Sequence, residues 1–441
     1  MEKLVITGGT KLHGQTNVSG AKNVALKALV AACMTADPVI IENIPLISDL
    51  FIMADIIRSL GGTVTITGHT AKVRLAKIKK PMVSLDAAAE IRTSVMFLPP
   101  LLAREKKAII PNPGGCRIGA RPIDRTIQGL QSLGANILYD SSDGYFHATT
   151  EGLVGTTYHF DKNTHTGTET LILAAVLAKG RTVLENAAQE PEIDELIAFL
   201  NAMGANIIRE QPRTIVIEGV EKLHGTTFRI GADRNEVITL AIAAVMTGGD
   251  ITVSDVDDAP LAAFLEKFRE VGGGYEKQAN GLRFFAKGPI QPTDVTTNIY
   301  PGFMTDWQAP WTVFMTMAHG TSLVHETIYE NRFAYVEQLL KMGAQITLFN
   351  PPVSDPETFY NFNYTDGKDT LHAAKITGPS SLHNAVVTVT DLRAGATLVL
   401  AAVAAKGQSV VFGIEHLDRG YERLDQRLNK LGAKIKRVAV E

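Results

Sequence analysis

The 441-residue chain is 45% hydrophobic and 20% charged, and its 43 basic and 46 acidic residues leave a formal net charge of −3. That length allows about two to three domains with sizeable cores, and the charge balance offers no basic stripe, which argues against a nucleic-acid partner. Two cysteines, Cys33 and Cys116, exclude a disulfide framework. With no run of about 18 apolar residues and no apolar leader, the sequence predicts a soluble cytoplasmic protein with no membrane partner.

From the N-terminus onward one pattern recurs. An Ala-rich apolar helix is predicted over residues 26–33, ahead of the β-branched run Val39-Ile40-Ile41. The same pair follows at 95–104 before Ala108-Ile109-Ile110, at 171–179 before Thr182-Val183-Leu184 and at 238–247 before Ile251-Thr252-Val253. It closes with 307–319 before Ser322-Leu323-Val324 and 398–406 before Val410-Val411-Phe412. In each unit a second, amphipathic helix then runs into a Gly-centred turn, at Leu60-Gly61, Leu133-Gly134, Met203-Gly204, Val271-Gly272, Met342-Gly343 and Leu431-Gly432. The intervals are 73, 70, 68, 71 and 89 residues. A fixed period means a repeated supersecondary unit, and helical followed by β-branched periodicity makes that unit α/β. Six units of about 70 residues divide into two domains of three, and helices apolar all round are buried helices.

Cations stand where helices start. Lys22, Arg92, Arg234 and Arg393 lie at or beside the first position of the Ala-rich helices of units one, two, four and six, against the positive end of the helix dipole. Singly, each is a solvated cation; four in phase predict converging N–H groups and side chains that bind a multiply charged anion in a cleft between the two domains. Unit three offers Thr166-Gly167, whose backbone N–H groups suit a phosphate, and unit five offers Thr305-Asp306. Asp306 is either a helix N-cap or, in a cation-lined cleft, a general base.

The Gly- and Pro-rich segment Pro111-Asn112-Pro113-Gly114-Gly115-Cys116-Arg117-Ile118-Gly119-Ala120-Arg121-Pro122 suits a mobile lid. Arg117 and Arg121 beside Cys116 would lower its thiol pKa, fitting an acid, base or nucleophile. Glu190-Pro191-Glu192, Glu330-Asn331-Arg332 and Asp418-Arg419-Gly420 precede second helices. There Glu192 and Asp418 read as first-turn dipole partners, and Arg419 fits the anion pattern. No histidine or cysteine spacing matches a metal site, and no P-loop or dinucleotide fingerprint occurs.

Ser19-Gly20-Ala21-Lys22-Asn23, Pro113-Gly114-Gly115-Cys116 with Ile118-Gly119-Ala120-Arg121-Pro122, Glu185-Asn186-Ala187-Ala188, Thr305-Asp306, Glu330-Asn331-Arg332-Phe333, Thr390-Asp391-Leu392-Arg393-Ala394 and Asp418-Arg419-Gly420-Tyr421-Glu422-Arg423 occur in that order. Together they resemble the bacterial UDP-N-acetylglucosamine 1-carboxyvinyltransferases, the enolpyruvyl transferase family that opens peptidoglycan synthesis. The resemblance covers nearly the whole chain. It implies two inverse α/β barrel-like domains around buried helices. Residues 22–231 would hold units one to three with the lid near 112–122, and residues 1–21 with 232–441 would hold units four to six and the N-terminal strand. The implied reaction moves the enolpyruvyl group of phosphoenolpyruvate to the sugar 3-hydroxyl and releases phosphate, by addition and elimination, with no metal or organic cofactor.

By matching position, the resemblance makes Cys116 the acid on the lid or the carrier of a covalent phospholactoyl adduct, and Asp306 the group that takes or orients the sugar proton. Lys22, Asn23, Arg121, Arg393 and Arg419 would hold phosphoenolpyruvate, with Lys22 and Arg419 also catalytic. Asn23, Arg92, Arg121, Pro122, Ile123, Asp124, Lys162, Thr166, Gly167, Asp306 and Ile328 would contact the UDP-sugar; Asp391 and Glu190 lie in matching motifs. The chain departs from the family where His165-Thr166-Gly167 replaces Ser-Val-Gly, and where Tyr300 and Met304 replace a His and a Pro before the Thr-Asp pair. Trp307 and Pro310 alter the helix that the pair opens, and residues 351–368 add a surface loop with four aromatic residues to the stretched sixth unit. These departures leave room for a shifted sugar preference. No sequence feature defines an oligomer. The sister enzyme acting on 3-phosphoshikimate shares the fold, and a non-catalytic UDP-sugar binder is the reading of another class; the Cys-bearing lid opposes the first, and joint retention of Cys116, Asp306 and the cations opposes the second.

Overall fold

The computed structural model describes residues 2–114, 123–365 and 370–440. Cys116, Arg117, Arg121, Pro122 and most of the expected lid lie outside these. The chain divides into two units, one of residues 20–114 and 123–231, the other of residues 2–19 and 232–440. Gly20 and Ala21 group with the first unit, where the Ala21 N–H donates to the Gly231 carbonyl at 2.8 Å.

Each unit is built around three inner helices. In the first these are α1 (Lys22–Ala32), α2 (Leu98–Glu105) and α3 (His165–Ala175); in the second, α4 (Arg234–Met246), α5 (Thr305–Met315) and α6 (Leu392–Ala404). Their all-round apolar sequences have the predicted consequence: every residue of α4 is buried. Threonines inside them close their hydroxyls onto the carbonyl four residues back, as in Thr170 to Thr166, Thr239 to Asn235 and Thr397 to Arg393 at 2.7–2.9 Å. This lets a polar side chain occupy a core without an orphaned donor. α2 departs from the pattern, because Pro99 and Pro100 occupy its first turn and the segment Arg92–Phe97 before it is 3₁₀.

The outer helices, such as Ser48–Ser59 and Pro191–Ala202, bury one face only. All six end at the repeated glycine, and Gly61, Gly134, Gly204, Gly272, Gly343 and Gly432 hold φ between 88° and 103°. That conformation strains any residue with a Cβ, which is why the turn recurs as glycine.

Among the described residues there are six sheets, five of four strands and one of three. The usual sheet carries a short parallel strand, then the strand that follows the inner helix, then an antiparallel hairpin. Each chain crossing follows a short parallel strand that pairs within the unit the chain is leaving. Strand His13–Asn17, which leads into α1, pairs with Asp250–Ser254 in the second unit, whereas Thr227–Arg229, which leads into α4, pairs with Val39–Glu42 in the first. Strand Glu2–Thr7 lies between Gln408–Phe412 and Lys434–Ala439, completing the last sheet. Two separate apolar cores result, one per unit. The second is strongly aromatic, with Trp307, Trp311, Phe264, Phe303 and Phe314 meeting edge to face.

The described part of the extra segment, residues 351–365, is not a loose addition to the sixth unit. It lies between strands Gln345–Phe349 and Ala373–Gly378, the hairpin of the fifth. Tyr360 is 2% exposed, and it stacks on Phe362 and Tyr364 and meets His325 and His372. The aromatic residues therefore form a small core of their own. No helix among the described residues is long and apolar enough to cross a membrane.

Candidate active site

In the first unit, Lys22 is the first residue of α1 and Asn23 the second. The close approach before them is set by Gly20, where a Cβ would stand 1.7 Å from the Asn43 carbonyl oxygen. Asn43 in turn donates to the Ile230 carbonyl at 2.8 Å. Lys22 is buried and its ammonium lies 2.7 Å from Asp49, itself 2% exposed in the first turn of the next helix. A carboxylate thus neutralises this cation within the fold.

Arg92 opens the 3₁₀ segment, Ile123 is buried, and Asp124 is the first residue of helix Asp124–Ser132, where its charge suits the helix dipole. Lys162 is half-buried just before α3. At the start of α3 the backbone reading needs correction. Thr164 is the N-cap and its hydroxyl accepts the Gly167 N–H at 3.2 Å, so that donor is already engaged and Thr166 sits inside the first turn. Sequence pattern placed the helix start at Thr166 because the capping threonine precedes a histidine rather than an apolar residue.

That histidine belongs to a buried charge cluster which sequence inspection did not assemble. Glu169, fully buried on α3, forms ion pairs with Lys27 of α1 at 3.2 Å and with His165 at 3.3 Å. Burial pushes the His165 imidazole down, but the Glu169 and Glu190 carboxylates outweigh it and the net shift is upward. Its spacing from Glu169, one helical turn, was the available signal.

In the second unit the cations again open helices: Arg234 is the first residue of α4 and Arg393 the second of α6. Asp233 and Asp391 cap those helices, accepting the N–H groups of Asn235 at 2.8 Å and of Arg393 and Ala394 at 2.9 and 3.1 Å. The Arg234 guanidinium lies over the rings of Tyr300 and Trp307, at 5.1 and 5.7 Å. Tyr300, one of the departures from the family pattern, therefore packs on a helix-opening cation.

Asp306 is not an N-cap. Met304 holds that position without a side-chain bond, and Asp306 is the second residue of α5. Its carboxylate lies between two buried guanidinium groups, taking Arg332 Nη2 on Oδ1 at 2.7 Å and Arg393 Nη2 on Oδ2 at 2.8 Å. Burial alone would raise its pKa; Arg393 and Arg332 overcome that and hold the group well below the ordinary carboxylate range. Arg332 was visible as part of Glu330-Asn331-Arg332, but pairing across 26 residues has no local signature.

Glu326 organises the neighbouring loop, accepting the Thr305 hydroxyl at 2.9 Å and the N–H groups of Ile328 and Tyr329 at 2.8 and 3.1 Å. Ile328 is thereby tied to the start of α5. Arg419 is half-buried at the end of the short helix Glu415–Asp418. Asp418, expected at the first turn of the following helix, instead belongs to this short one and makes two 2.8 Å bonds to Arg437. Asp140, Asp143 and His147 bring ligand atoms within 4.8 Å of one another on an exposed hairpin. Asp143 already accepts His147 at 2.8 Å and Asp140 accepts Ser142, so local turn bonds account for them.

This architecture is shared with solved enolpyruvyl transferases. The enolpyruvyl transferase NikO from Streptomyces tendae superposes with a TM-score of 0.86 at 25% identity, over 100% of this chain and 99% of that one. EPSP synthase from Acinetobacter baumannii shares the fold, with a TM-score of 0.72 at 16% identity over the whole of both chains. Residues 6–428 match the family model of EPSP synthase (3-phosphoshikimate 1-carboxyvinyltransferase). The relative named UDP-N-acetylglucosamine 1-carboxyvinyltransferase from Acidobacterium capsulatum is 43% identical, over 99% of this chain and 96% of its own. That of Rhizobium meliloti is 39% identical over all of both. The chain belongs to the EPSP synthase family of enolpyruvyl transferases, in the company of these UDP-N-acetylglucosamine 1-carboxyvinyltransferases.

Proposed function

We propose that this protein transfers the enolpyruvyl group of phosphoenolpyruvate to the 3-hydroxyl of UDP-N-acetylglucosamine with release of phosphate, in the cytoplasm, as the committed step of peptidoglycan synthesis. The observation that carries this reading is full-length likeness, at about 40% identity, to relatives bearing that enzyme's name. The chain also keeps Lys22, Cys116, Asp306, Arg393 and Arg419 at the motif positions. Likeness to EPSP synthase structures is much lower, at 16%.

The chemistry is an addition followed by an elimination. Protonation at C3 of phosphoenolpyruvate builds positive character at C2; the sugar oxygen bonds there as its proton leaves; loss of phosphate and of a C3 proton restores the double bond. Such a path needs an acid near C3, a base near the hydroxyl and fixed cations around carboxylate and phosphate. Cys116 is the proposed acid or covalent carrier and Asp306 the proposed base. Lys22, Asn23, Arg121, Arg393 and Arg419 hold the donor. Asn23, Arg92, residues 121–124, Lys162, Thr166-Gly167, Asp306 and Ile328 contact the acceptor, Gly167 through something other than its capped N–H. Phosphate release tests the reading directly. Release that requires UDP-N-acetylglucosamine is expected; release that requires 3-phosphoshikimate, or binding of both substrates without release, overturns it.

A further inference from the structure

The two arginines that hold Asp306 have unequal surroundings. Arg332, buried at 7% exposure, is flanked by three further acidic groups, Asp391, Glu326 and the Tyr329 phenol, all of which favour its charge. Arg393 is 5% exposed, faces the Tyr421 ring at 5.5 Å and has Asp233 as its other nearby carboxylate. Its Nε and Nη1 are buried and have no well-aligned acceptor among the described residues, the Tyr421 hydroxyl being the one other hydrogen-bonding group that bears on the guanidinium. A buried donor without an acceptor is costly. A guanidinium with one nitrogen on a carboxylate and no second well-aligned anionic acceptor is suited to a further oxyanion, which its planar fork binds in preference to a point charge.

Asp306 cannot serve as an effective proton acceptor while both guanidinium groups neutralise it, because their fields stabilise its charged form. Resting on the function proposed above, we propose that the anionic three-carbon donor competes with Asp306 for Arg393, and that Asp306, kept in place by Arg332, becomes the proton acceptor only once that donor is bound. Arg332 is then a positioning residue. The step balances: the acceptor O–H bond breaks toward Asp306, its electron pair forms the C–O bond at donor C2, and the C2–C3 π pair takes a proton at C3 from a second acid. A donor-gated base has a plain advantage, since the sugar hydroxyl is not deprotonated until an electrophile is present.

The test follows the Asp306 side chain by NMR in protein labelled with 13C at the aspartate carboxyl carbon, with Asp306→Asn identifying the resonance. In the free protein the signal should remain that of a carboxylate down to the lowest pH at which the fold survives. With phosphoenolpyruvate and a UDP-N-acetylglucosamine analogue lacking the 3-hydroxyl, it should titrate within that range, a rise of at least about one pH unit or tenfold in proton affinity. If both ligands bind and the signal stays flat, the gating is wrong while the enzyme reading stands; if phosphoenolpyruvate does not bind at all, the enzyme reading itself falls. Kinetics give an independent arm that needs no Asp306 variant. Arg332→Met should lower kcat about tenfold or more with KM for phosphoenolpyruvate within about threefold, and Arg332→Lys should recover part of it. A raised KM with unchanged kcat would make Arg332 a donor ligand and overturn its positioning role.

Discussion

Glu236 offers a quantitative test of how the second unit is held together. This carboxylate of α4 is 2% exposed and accepts the Ser19 N–H at 2.9 Å, the Ser19 hydroxyl at 2.7 Å and the Arg427 guanidinium. It thus ties the residue before the first chain crossing to the last outer helix. Removing one partner of a buried pair costs about 3–5 kcal/mol because the other charge is stranded. Arg427→Met should fall at the lower end, about 3 kcal/mol: burial already pushes the Glu236 carboxyl up, so the stranded group can take a proton instead of staying charged. Arg427→Met combined with Glu236→Gln should regain most of the loss, since a glutamine oxygen still accepts from Ser19 and no charge remains. Urea unfolding monitored by tryptophan fluorescence isolates the effect, because the chain's only two tryptophans, Trp307 and Trp311, both lie in this unit's core. An Arg427→Met protein within about 1 kcal/mol of wild type, or a double variant no better than the single one, would refute the reasoning.

Cys33 is fully buried and its thiol is pushed up to about 12 by burial, so Cys116→Ser protein should show no thiol reacting with a colorimetric disulfide reagent until it is unfolded; a readily reacting thiol in the folded variant would refute this. Glu195, whose carboxylate accepts the Gly231 N–H, is raised from 4.5 to about 7 by burial. The native state therefore holds a proton that the unfolded chain releases between those values, and stability should fall as pH rises through that window, by about 1–2 kcal/mol after solvent screening. Glu195→Gln should flatten that slope in pH-dependent denaturation. Gly20→Ala would place its Cβ 1.7 Å from the Asn43 carbonyl oxygen, and should cost about 1–3 kcal/mol of stability by overpacking; unaltered urea midpoints would show that the backbone gives way freely there.

Periodicity made the inner helices, their cationic first turns and the glycine turns legible, because each depends on residues adjacent in sequence or spaced by the helical repeat. Strand partners were less accessible. His13-Gly14-Gln15-Thr16-Asn17 carries almost no apolar alternation, and its pairing with Asp250–Ser254 is written in neither segment. The same holds for Asp306: its place in a Thr-Asp pair was plain, but an acid held by Arg332 and Arg393 is a property of three separate segments. Thr164 does not read as a cap because His165 interrupts the apolar pattern behind it, and the aromatic segment reads as part of the sixth unit because an interval between glycine turns does not say which side of the next inner helix has grown.

The placement of the first two strands in sheets of the second unit means that the gene cannot simply be divided at codon 231. The earlier fragment would keep Thr227–Arg229 for its own sheet but would carry off Glu2–Thr7 and His13–Asn17, which complete two sheets of the later one. The dependence runs one way: the later fragment could complete those two sheets only by recruiting the first seventeen residues of the earlier one.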